Sequence, residues 1–235
     1  MWVPARRAYE YDDAYPAQRG HHDAVIARCK QVTLKSWVRQ FDRPVAQSRV
    51  LEVGFGGGAT LAWLQAQGAF VCGQELVAAN RTAACAQGIP AERIEESLAS
   101  FAGLSFHQVL YLDAFEHILD PAPHLRTLGA VTARGSQAML VLPVADSVSR
   151  KLLGRWWPHD IEDHWVFYST AGLTALWAQA GWRLVRRFTP WKYLSALTIA
   201  RHIEMKTPLR LPAERLKNAG VWLNFGERGL IFERL

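Results

Sequence analysis

Cysteine is scarce in this sequence, and long apolar runs are missing. Only three of the 235 residues are cysteine. The spacing of Cys29, Cys72 and Cys85 matches neither a disulfide framework nor a cysteine-ligated metal site. No apolar run approaches the roughly 20 residues that a membrane-spanning helix needs, and the first residues lack the apolar core of a signal peptide. These absences predict a cytoplasmic protein without structural disulfides.

Aromatic and aliphatic residues are plentiful. The chain is 50% hydrophobic and contains ten Trp, ten Phe and six Tyr, a composition that excludes a disordered chain. A chain of this length buries roughly 70–75% of the surface that it exposes when unfolded. We therefore expect one full-sized domain with an extended hydrophobic core.

Positive charge is concentrated near the end of the chain. The net charge is +6, whereas residues 183–217 contain nine Lys or Arg and only two Glu. Such a segment favours an anionic partner, which could be a phosphate group, an anionic lipid or a nucleic acid. A solvated surface that keeps the protein in solution is an equally good interpretation.

Strand-like and helix-like segments alternate along the chain, a pattern typical of an α/β sheet. Strands are predicted at residues 49–53, 69–74, 106–112, 137–142 and 182–188, and helices at residues 22–41, 59–67, 77–87, 120–132 and 170–180. Residues 221–224 and 230–233 are predicted to form a closing pair of strands. Residues 146–169 are rich in Trp and His and have no clear period. The predicted fold class is a doubly wound α/β sheet.

A glycine-rich loop follows the first predicted strand in the sequence VLEVGFGGG, residues 50–58. Glycines without a Cβ let the backbone approach a ligand closely. The second predicted strand ends at Glu75, and an acid at that place is suited to bind the hydroxyls of a ribose. The sequence therefore predicts a nucleotide-like ligand.

The first strand also contains Glu52, which decides between two kinds of nucleotide. Gly54, Gly56 and Ala59 fit the dinucleotide pattern G-x-G-x-x-A, but a carboxylate would repel a pyrophosphate. The loop has no Lys or Arg, and a Tyr-x-x-x-Lys relay is absent from the chain. A ligand with a ribose, a cationic amino acid end and no phosphate fits better, namely S-adenosylmethionine. An NAD(P)-dependent oxidoreductase and a non-catalytic binding module are the alternatives.

The same residues resemble the class I SAM-dependent methyltransferases, especially the small-molecule branch that includes ubiquinone-biosynthesis O-methyltransferases. The similar segments are residues 50–58, Glu75, VLYLDAFEHILDP (109–121), MLVLPV (139–144) and residues 163–182. The resemblance implies a Rossmann-like sheet of about seven strands with an antiparallel last strand. It also implies an N-terminal helical cap (residues 1–45) and a SAM-binding domain (residues 46–235), in which residues 146–169 and 188–220 shape the acceptor site.

The resemblance assigns a role to each residue of the expected cofactor site. Glu52 would contact the methionine amino group, Glu75 the ribose, and Leu76 the adenine. The other implied contacts are Gly54, Phe55, Gly56 and Gly58 in the loop, Ser97 and Leu98 beside the base, and Leu112, Asp113 and His117 below the sulfonium. One departure concerns the adenine contact, because Glu95-Glu96-Ser97 stands where the family often has Asp followed by a small residue.

Methyl transfer to a hydroxyl often needs a base, and His is the usual candidate. His117 follows a predicted central strand and His164 lies in the Trp-rich segment, so these two are the candidate catalytic residues. A structural role for each is the alternative. The histidine spacings predict no metal site.

The predicted acceptor is a small molecule methylated at oxygen, and an anionic, lipid-linked or sugar-linked acceptor is left open. The prolines typical of DNA-adenine methyltransferases are missing after Leu112, and no cysteine follows a proline as in cytosine enzymes. These absences argue against a nucleic-acid substrate. Residues 191–205 are a candidate amphipathic helix for peripheral membrane contact, while packing across the sheet edge is the alternative. Oligomeric state is not predicted.

Overall fold

A computed structural model describes residues 24–157, 159–160, 164, 166–196, 199 and 219–235. Its strands are β1 (Arg49–Val53), β2 (Phe70–Gln74), β3 (Ile94–Glu95), β4 (Phe106–Leu112), β5 (Thr132–Pro143), β6 (Trp182–Phe188), β7 (Lys192–Ser195), β8 (Gly220–Leu223) and β9 (Glu227–Arg234). Its helices are α1 (Ala24–Trp37), α2 (Ala59–Ala66), α3 (Ala78–Ala86), α4 (Pro121–Ala130), α5 (Val148–Leu153) and α6 (Thr170–Gln179).

Seven of these strands form one sheet in the order β3-β2-β1-β4-β5-β9-β6. Strands β1 to β5 are parallel, and β9 runs antiparallel to both β5 and β6. The predicted fold class is confirmed, including the antiparallel last strand.

Hydrophobic clusters cover both faces of the sheet. On one face, Trp177 of α6 stacks on Phe232 of β9 with 4.7 Å between ring centroids, and this cluster also contains Tyr111 and Phe115. On the other face, Leu34 and Trp37 of α1 join α2 and α3 against the sheet. Because hydrophobic clusters cover both faces, the central strands are continuous apolar runs in the sequence.

The helix predicted at residues 22–41 is shorter in the structure. Residues 22–23 lie outside the described residues, α1 ends at Trp37, and a 3₁₀ turn continues from Val38 to Gln40. The other four predicted helices are found with ends shifted by one or two residues. Within the described part of the chain, no helix has the length and apolarity needed to cross a membrane.

Two predictions for the end of the chain are wrong. Residues 192–195 form β7 and not the start of a helix at 191–205, and β7 pairs with β8 in a separate two-stranded sheet. Residues 196 and 199 are helical, and the rest of the candidate helix lies outside the described residues. The strands predicted as a closing pair separate, because β8 pairs with β7 whereas β9 inserts between β5 and β6.

Two elements are absent from the sequence predictions. Strand β3 has only two residues, too few to show a period. Helix α5 lies in the segment without a clear period, and the Ser147 hydroxyl caps it by accepting a hydrogen bond from the Arg150 N–H at 3.2 Å.

Candidate active site

The strand order reverses beside β1, because the chain leaves β3 and returns as β4 on the other side of β1. In a doubly wound sheet, ligands bind at the carboxyl ends of the strands at such a point. Here the glycine loop follows β1 and residues 113–117 follow β4. A Cβ on Gly54 would lie 2.8 Å from the Cβ of Ala114. The two loops are therefore in direct contact.

The glycine loop needs glycine for conformation and for space. Gly58 has φ +84°, and a Cβ there would lie 2.6 Å from the Cβ of Ala84 on α3, so no larger residue fits. Among the described residues, no atom lies within 4 Å of a Cβ built on Gly56. The described part of the chain therefore leaves room on this side of the loop for a ligand to approach the backbone.

Glu52 is a buried acid on β1 whose surface is only 2% exposed. Its Oε2 atom accepts no hydrogen bond from the residues that the structure describes. Burial raises the pKa of Glu52 to about 7, while the Lys30 ammonium and the Thr60 hydroxyl act in the opposite direction. A buried carboxylate oxygen of this kind is suited to bind a cationic amino group.

Glu75 lies at the end of β2 and is fixed by backbone contacts. Its two oxygens accept hydrogen bonds from the N–H of Gly56 at 2.8 Å and from the N–H of Val77 at 3.0 Å. The Arg81 guanidinium donates to the carbonyls of Glu75 and Leu76 at 2.7 and 2.6 Å. A carboxylate can accept about four hydrogen bonds, so this one keeps capacity for the hydroxyls of a sugar.

The side chains expected around the base are divided between surface and core. Leu76 is 60% exposed beside Glu75, a position that suits contact with a flat ring. Ser97 is exposed, and its hydroxyl accepts a hydrogen bond from the Ala99 N–H. Leu98 and Phe55 are buried in the hydrophobic clusters, so only their backbone is available to a ligand.

Asp113 belongs to a charged cluster that the sequence does not predict. Asp113 follows Leu112, which is partly buried at the end of β4. The backbone φ of Asp113 is +52°. Its carboxylate lies 2.9 Å from the Lys192 ammonium, which also lies 2.8 Å from Glu227. Burial alone would lower the pKa of Lys192, but the carboxylates of Asp113 and Glu227 raise it above its ordinary value.

Glu227 extends this cluster to the Trp-rich segment. It is buried, and its Oε1 atom lies 3.3 Å from the Nε2 atom of His159. Burial alone would raise the pKa of Glu227, but His159 and Lys192 hold it well below its usual range. Segments distant in sequence therefore meet beside the end of β4.

The two candidate catalytic histidines lie together next to this cluster. The rings of His117 and His164 are 5.1 Å apart, and the His164 Nε2 atom lies 3.8 Å from the buried Glu116 carboxylate. The His164 Nδ1 atom lies 2.8 Å from the carbonyl oxygen of His159. A proton on Nδ1 would be donated to that carbonyl, so both ring nitrogens of His164 face oxygen atoms.

Glu116, His117 and His164 also have metal-ligating chemistry. One ligand atom from each lies within 4.8 Å of the others, and two His with one Glu is a ligand set found in catalytic zinc sites. The sequence predicts no metal site because His164 is 47 positions from His117. Only the fold brings them together.

The basic segment is only partly described, and three of its described cations are paired with acids. Arg183 pairs with Glu233 at 2.9 Å, Arg186 with Asp42 at 3.0 Å, and Lys192 with two carboxylates. Arg187 is exposed. The other basic residues of the segment lie outside the described residues.

These features agree with the comparisons with known proteins. A family model described as a methyltransferase domain matches residues 26–187, which is more than half of the chain. The chain belongs to the class I SAM-dependent methyltransferases. The glycine loop, and the Glu52 oxygen that accepts no hydrogen bond from the described residues, fit the family's cofactor, S-adenosylmethionine. The resemblance seen in the sequence is thus confirmed at the level of the family.

Solved structures support the fold at low sequence identity. One chain from the complex between the Haloferax volcanii Trm112 methyltransferase activator and its suggested methyltransferase is 17% identical. The alignment covers 97% of this chain and 99% of that chain, with a TM-score of 0.65. A Thermotoga maritima SAM-dependent methyltransferase, suggested to act on histamine nitrogen, is 12% identical over 95% of this chain and 98% of that chain, with a TM-score of 0.61.

A third similar structure contains a ligand of the expected kind. The Haemonchus contortus phosphoethanolamine N-methyltransferase 2, in complex with S-adenosylhomocysteine, is 12% identical. The alignment covers 96% of this chain and 60% of that chain, with a TM-score of 0.56. No curated protein matches the sequence.

Proposed function

We propose that this methyltransferase transfers a methyl group to the oxygen of a small-molecule acceptor. The carrying observation is the position of His117 and His164. His117 lies in the loop after β4, which contacts the glycine loop. The His164 ring lies beside it, 5.1 Å from the His117 ring. A hydroxyl acceptor bound between the two loops would have a base within reach.

In the proposed reaction, Glu52 binds the methionine amino group, Glu75 binds the ribose, and Leu76 contacts the adenine. When bound, S-adenosylmethionine supplies an electrophilic methyl group and leaves as S-adenosylhomocysteine. His117 accepts the hydroxyl proton as the new carbon–oxygen bond forms, so charge on the acceptor oxygen does not build up. Glu116 and the backbone of His159 orient His164, whose ring would in turn position His117.

The domain organisation stays part of this proposal. Residues 1–45 would cap the cofactor site, and residues 146–169 and 188–220 would shape the acceptor site. Of these, residues 1–23, 158, 161–163, 165, 197–198 and 200–218 lie outside the described residues. The described parts support this arrangement. Helix α1 contacts β7 through the Thr33 hydroxyl, which accepts a hydrogen bond from the Tyr193 N–H at 2.8 Å. Both Lys192 and His159 reach the cluster around Asp113.

An amine acceptor is the second candidate, and it is favoured by charge. The partly exposed Asp113 carboxylate lies on this side of the site, and it shares the Lys192 ammonium with Glu227. The Thermotoga and Haemonchus structures are both named for methylation at nitrogen. A cationic amine would be attracted to such a surface, whereas an anionic acceptor would need the basic residues of 201–217.

The test is transfer of labelled methyl from S-adenosylmethionine to matched pairs of acceptors that differ only in a hydroxyl or an amine. We expect the hydroxyl member to be methylated, and we expect His117→Gln to slow that reaction. The control is His107→Gln, at the opposite end of β4, where the ring accepts a hydrogen bond from the Arg49 N–H. Methylation of amines alone would favour the second candidate, and methylation of neither member would contradict both.

A further inference from the structure

The segment that contains α5 exposes large apolar side chains. Leu152 is 80% exposed, Trp156 is 75% exposed and Val148 is 69% exposed. Leu153 and Phe225 are also exposed. Burial of such side chains is normally favourable, so a patch of this kind marks a surface that binds a partner. We call residues 148–156, with Phe225, the α5 surface.

The α5 surface is held in this orientation by its polar neighbours. The Ser149 hydroxyl and the Trp157 indole N–H both donate to the Phe225 carbonyl at 2.7 Å. Trp157 is buried and packs on Phe167, with 5.2 Å between ring centroids. Since Trp157 faces the core, the adjacent Trp156 faces outward on an anchored backbone.

The charge of the α5 surface has one sign. Residues 147–157 contain Arg150, Lys151 and Arg155 and no acid. Lys151 and Arg155 are exposed, and the Arg155 guanidinium lies over the Trp156 ring, 5.2 Å from its centroid. An exposed Trp and Leu among Lys and Arg is the composition of segments that lie in the interface of an anionic bilayer.

We infer that the α5 surface docks on an anionic lipid bilayer. A stable protein interface buries about 800 Å² on each partner, which is more than one short helix offers. A lipid interface needs only a few apolar anchors and cations. Helix α5 follows the carboxyl end of β5, the same edge of the sheet that carries the candidate active site. Docking would therefore bring that edge to the bilayer.

The test is co-sedimentation of the full chain with vesicles of phosphatidylcholine containing about 30% phosphatidylglycerol, compared with phosphatidylcholine alone. We expect binding to the anionic vesicles, weakened at high salt because screening reduces the attraction. Trp156→Gln should lower the partition coefficient about ten-fold, since it removes an apolar anchor. Arg155→Glu should lower it roughly twenty-fold, since each unit charge contributes about five-fold.

Matched controls lie at the opposite edge of the sheet. Leu235→Gln changes an exposed apolar residue and Arg134→Glu an exposed cation, and both should bind vesicles like the wild type. Equal losses in tests and controls, or no binding at low salt, would overturn the inference. So would a dimer in solution that Trp156→Gln dissociates. Calorimetric binding of S-adenosylhomocysteine, measured without vesicles, tests the proposed function separately.

Discussion

The two halves of the proposed ligand-binding edge of the sheet are built differently. In one half, a single stretch of chain provides most of the ligand-binding groups, whereas in the other half several segments distant in sequence meet. The half proposed to bind the cofactor, called the cofactor half, comprises residues 52–58 and Glu75, joined by the hydrogen bond from Gly56 to Glu75. The half proposed to bind the acceptor, called the acceptor half, comprises residues 113–117, His159, His164, Lys192 and Glu227, joined by ion pairs and ring contacts. The cofactor half follows from local backbone conformation, and the acceptor half depends on tertiary packing.

The largest effect is expected in the acceptor half, in the chemical step. His117→Gln should lower kcat by roughly 100- to 1,000-fold, about 3–4 kcal/mol, because it removes the proposed base. Affinity for S-adenosylhomocysteine should change little, since the cofactor half is intact. Single-turnover kinetics and calorimetry on the same variant measure the two quantities. An unchanged kcat would remove His117 from the chemistry.

A substitution in the cofactor half should instead lower the affinity for S-adenosylhomocysteine. Glu75→Ala should weaken S-adenosylhomocysteine binding by about 1–3 kcal/mol, because charged hydrogen bonds to the ribose are lost. Calorimetric titration measures the effect, and Glu92→Ala, an exposed acid beyond α3, is the matched control. Equal affinities in wild type and Glu75→Ala would exclude Glu75 from the ribose site.

The charged cluster of the acceptor half should also contribute to stability. Lys192→Met should lower the free energy of unfolding by about 2 kcal/mol, because it leaves the Glu227 carboxylate buried without its ammonium partner. Arg183→Met, which breaks the exposed pair with Glu233, should cost less than about 1 kcal/mol. Denaturant unfolding compares the two variants. A smaller loss in Lys192→Met than in Arg183→Met would contradict the structural role of the cluster.

The smallest expected effect is a pH dependence of S-adenosylhomocysteine binding, which arises in the cofactor half. Burial raises the pKa of Glu52 to about 7, and a cationic amino group binds its ionised form. Affinity for S-adenosylhomocysteine should therefore rise about ten-fold between roughly pH 6 and pH 8 and then level off. In the free protein, the stability contributed by protonated Glu52 is present below its unfolded pKa near 4.5. It should be lost as the pH rises through about 7.

Glu52→Gln is the variant that isolates this titration. It should remove both the rise in affinity and the loss of stability over this pH range. The measurements are calorimetry and thermal unfolding at a series of pH values. A rise in affinity that survives in Glu52→Gln would assign the titration to another group.

The residues of the proposed cofactor half can be chosen from the sequence because their pattern is local. A strand, a glycine turn and an acid at the end of the next strand fix one another within about one βαβ unit. The sheet is also predictable from the sequence, since the buried parallel strands are apolar and Gly68 and Gly88 follow the ends of the helices α2 and α3 between them.

The acceptor half was less accessible to sequence reasoning. Lys192 and Glu227 show no pairing signal in the sequence, because they are an ordinary Lys and an ordinary Glu 35 positions apart. The apolar spacing of residues 191–205 predicts a helix, but backbone pairing with β8 places 192–195 in a strand. Tertiary pairing thus overrides local propensity at β7.

The ligand that binds beside Glu52 and Glu75 is the most direct test of the proposed cofactor half. The measurement is calorimetric titration of the purified full chain with S-adenosylhomocysteine and, separately, with NADPH. We expect micromolar binding of S-adenosylhomocysteine and no heat with NADPH, because the Glu52 carboxylate would attract an amino group and repel a pyrophosphate. Binding of NADPH alone, or of neither ligand, would contradict the account.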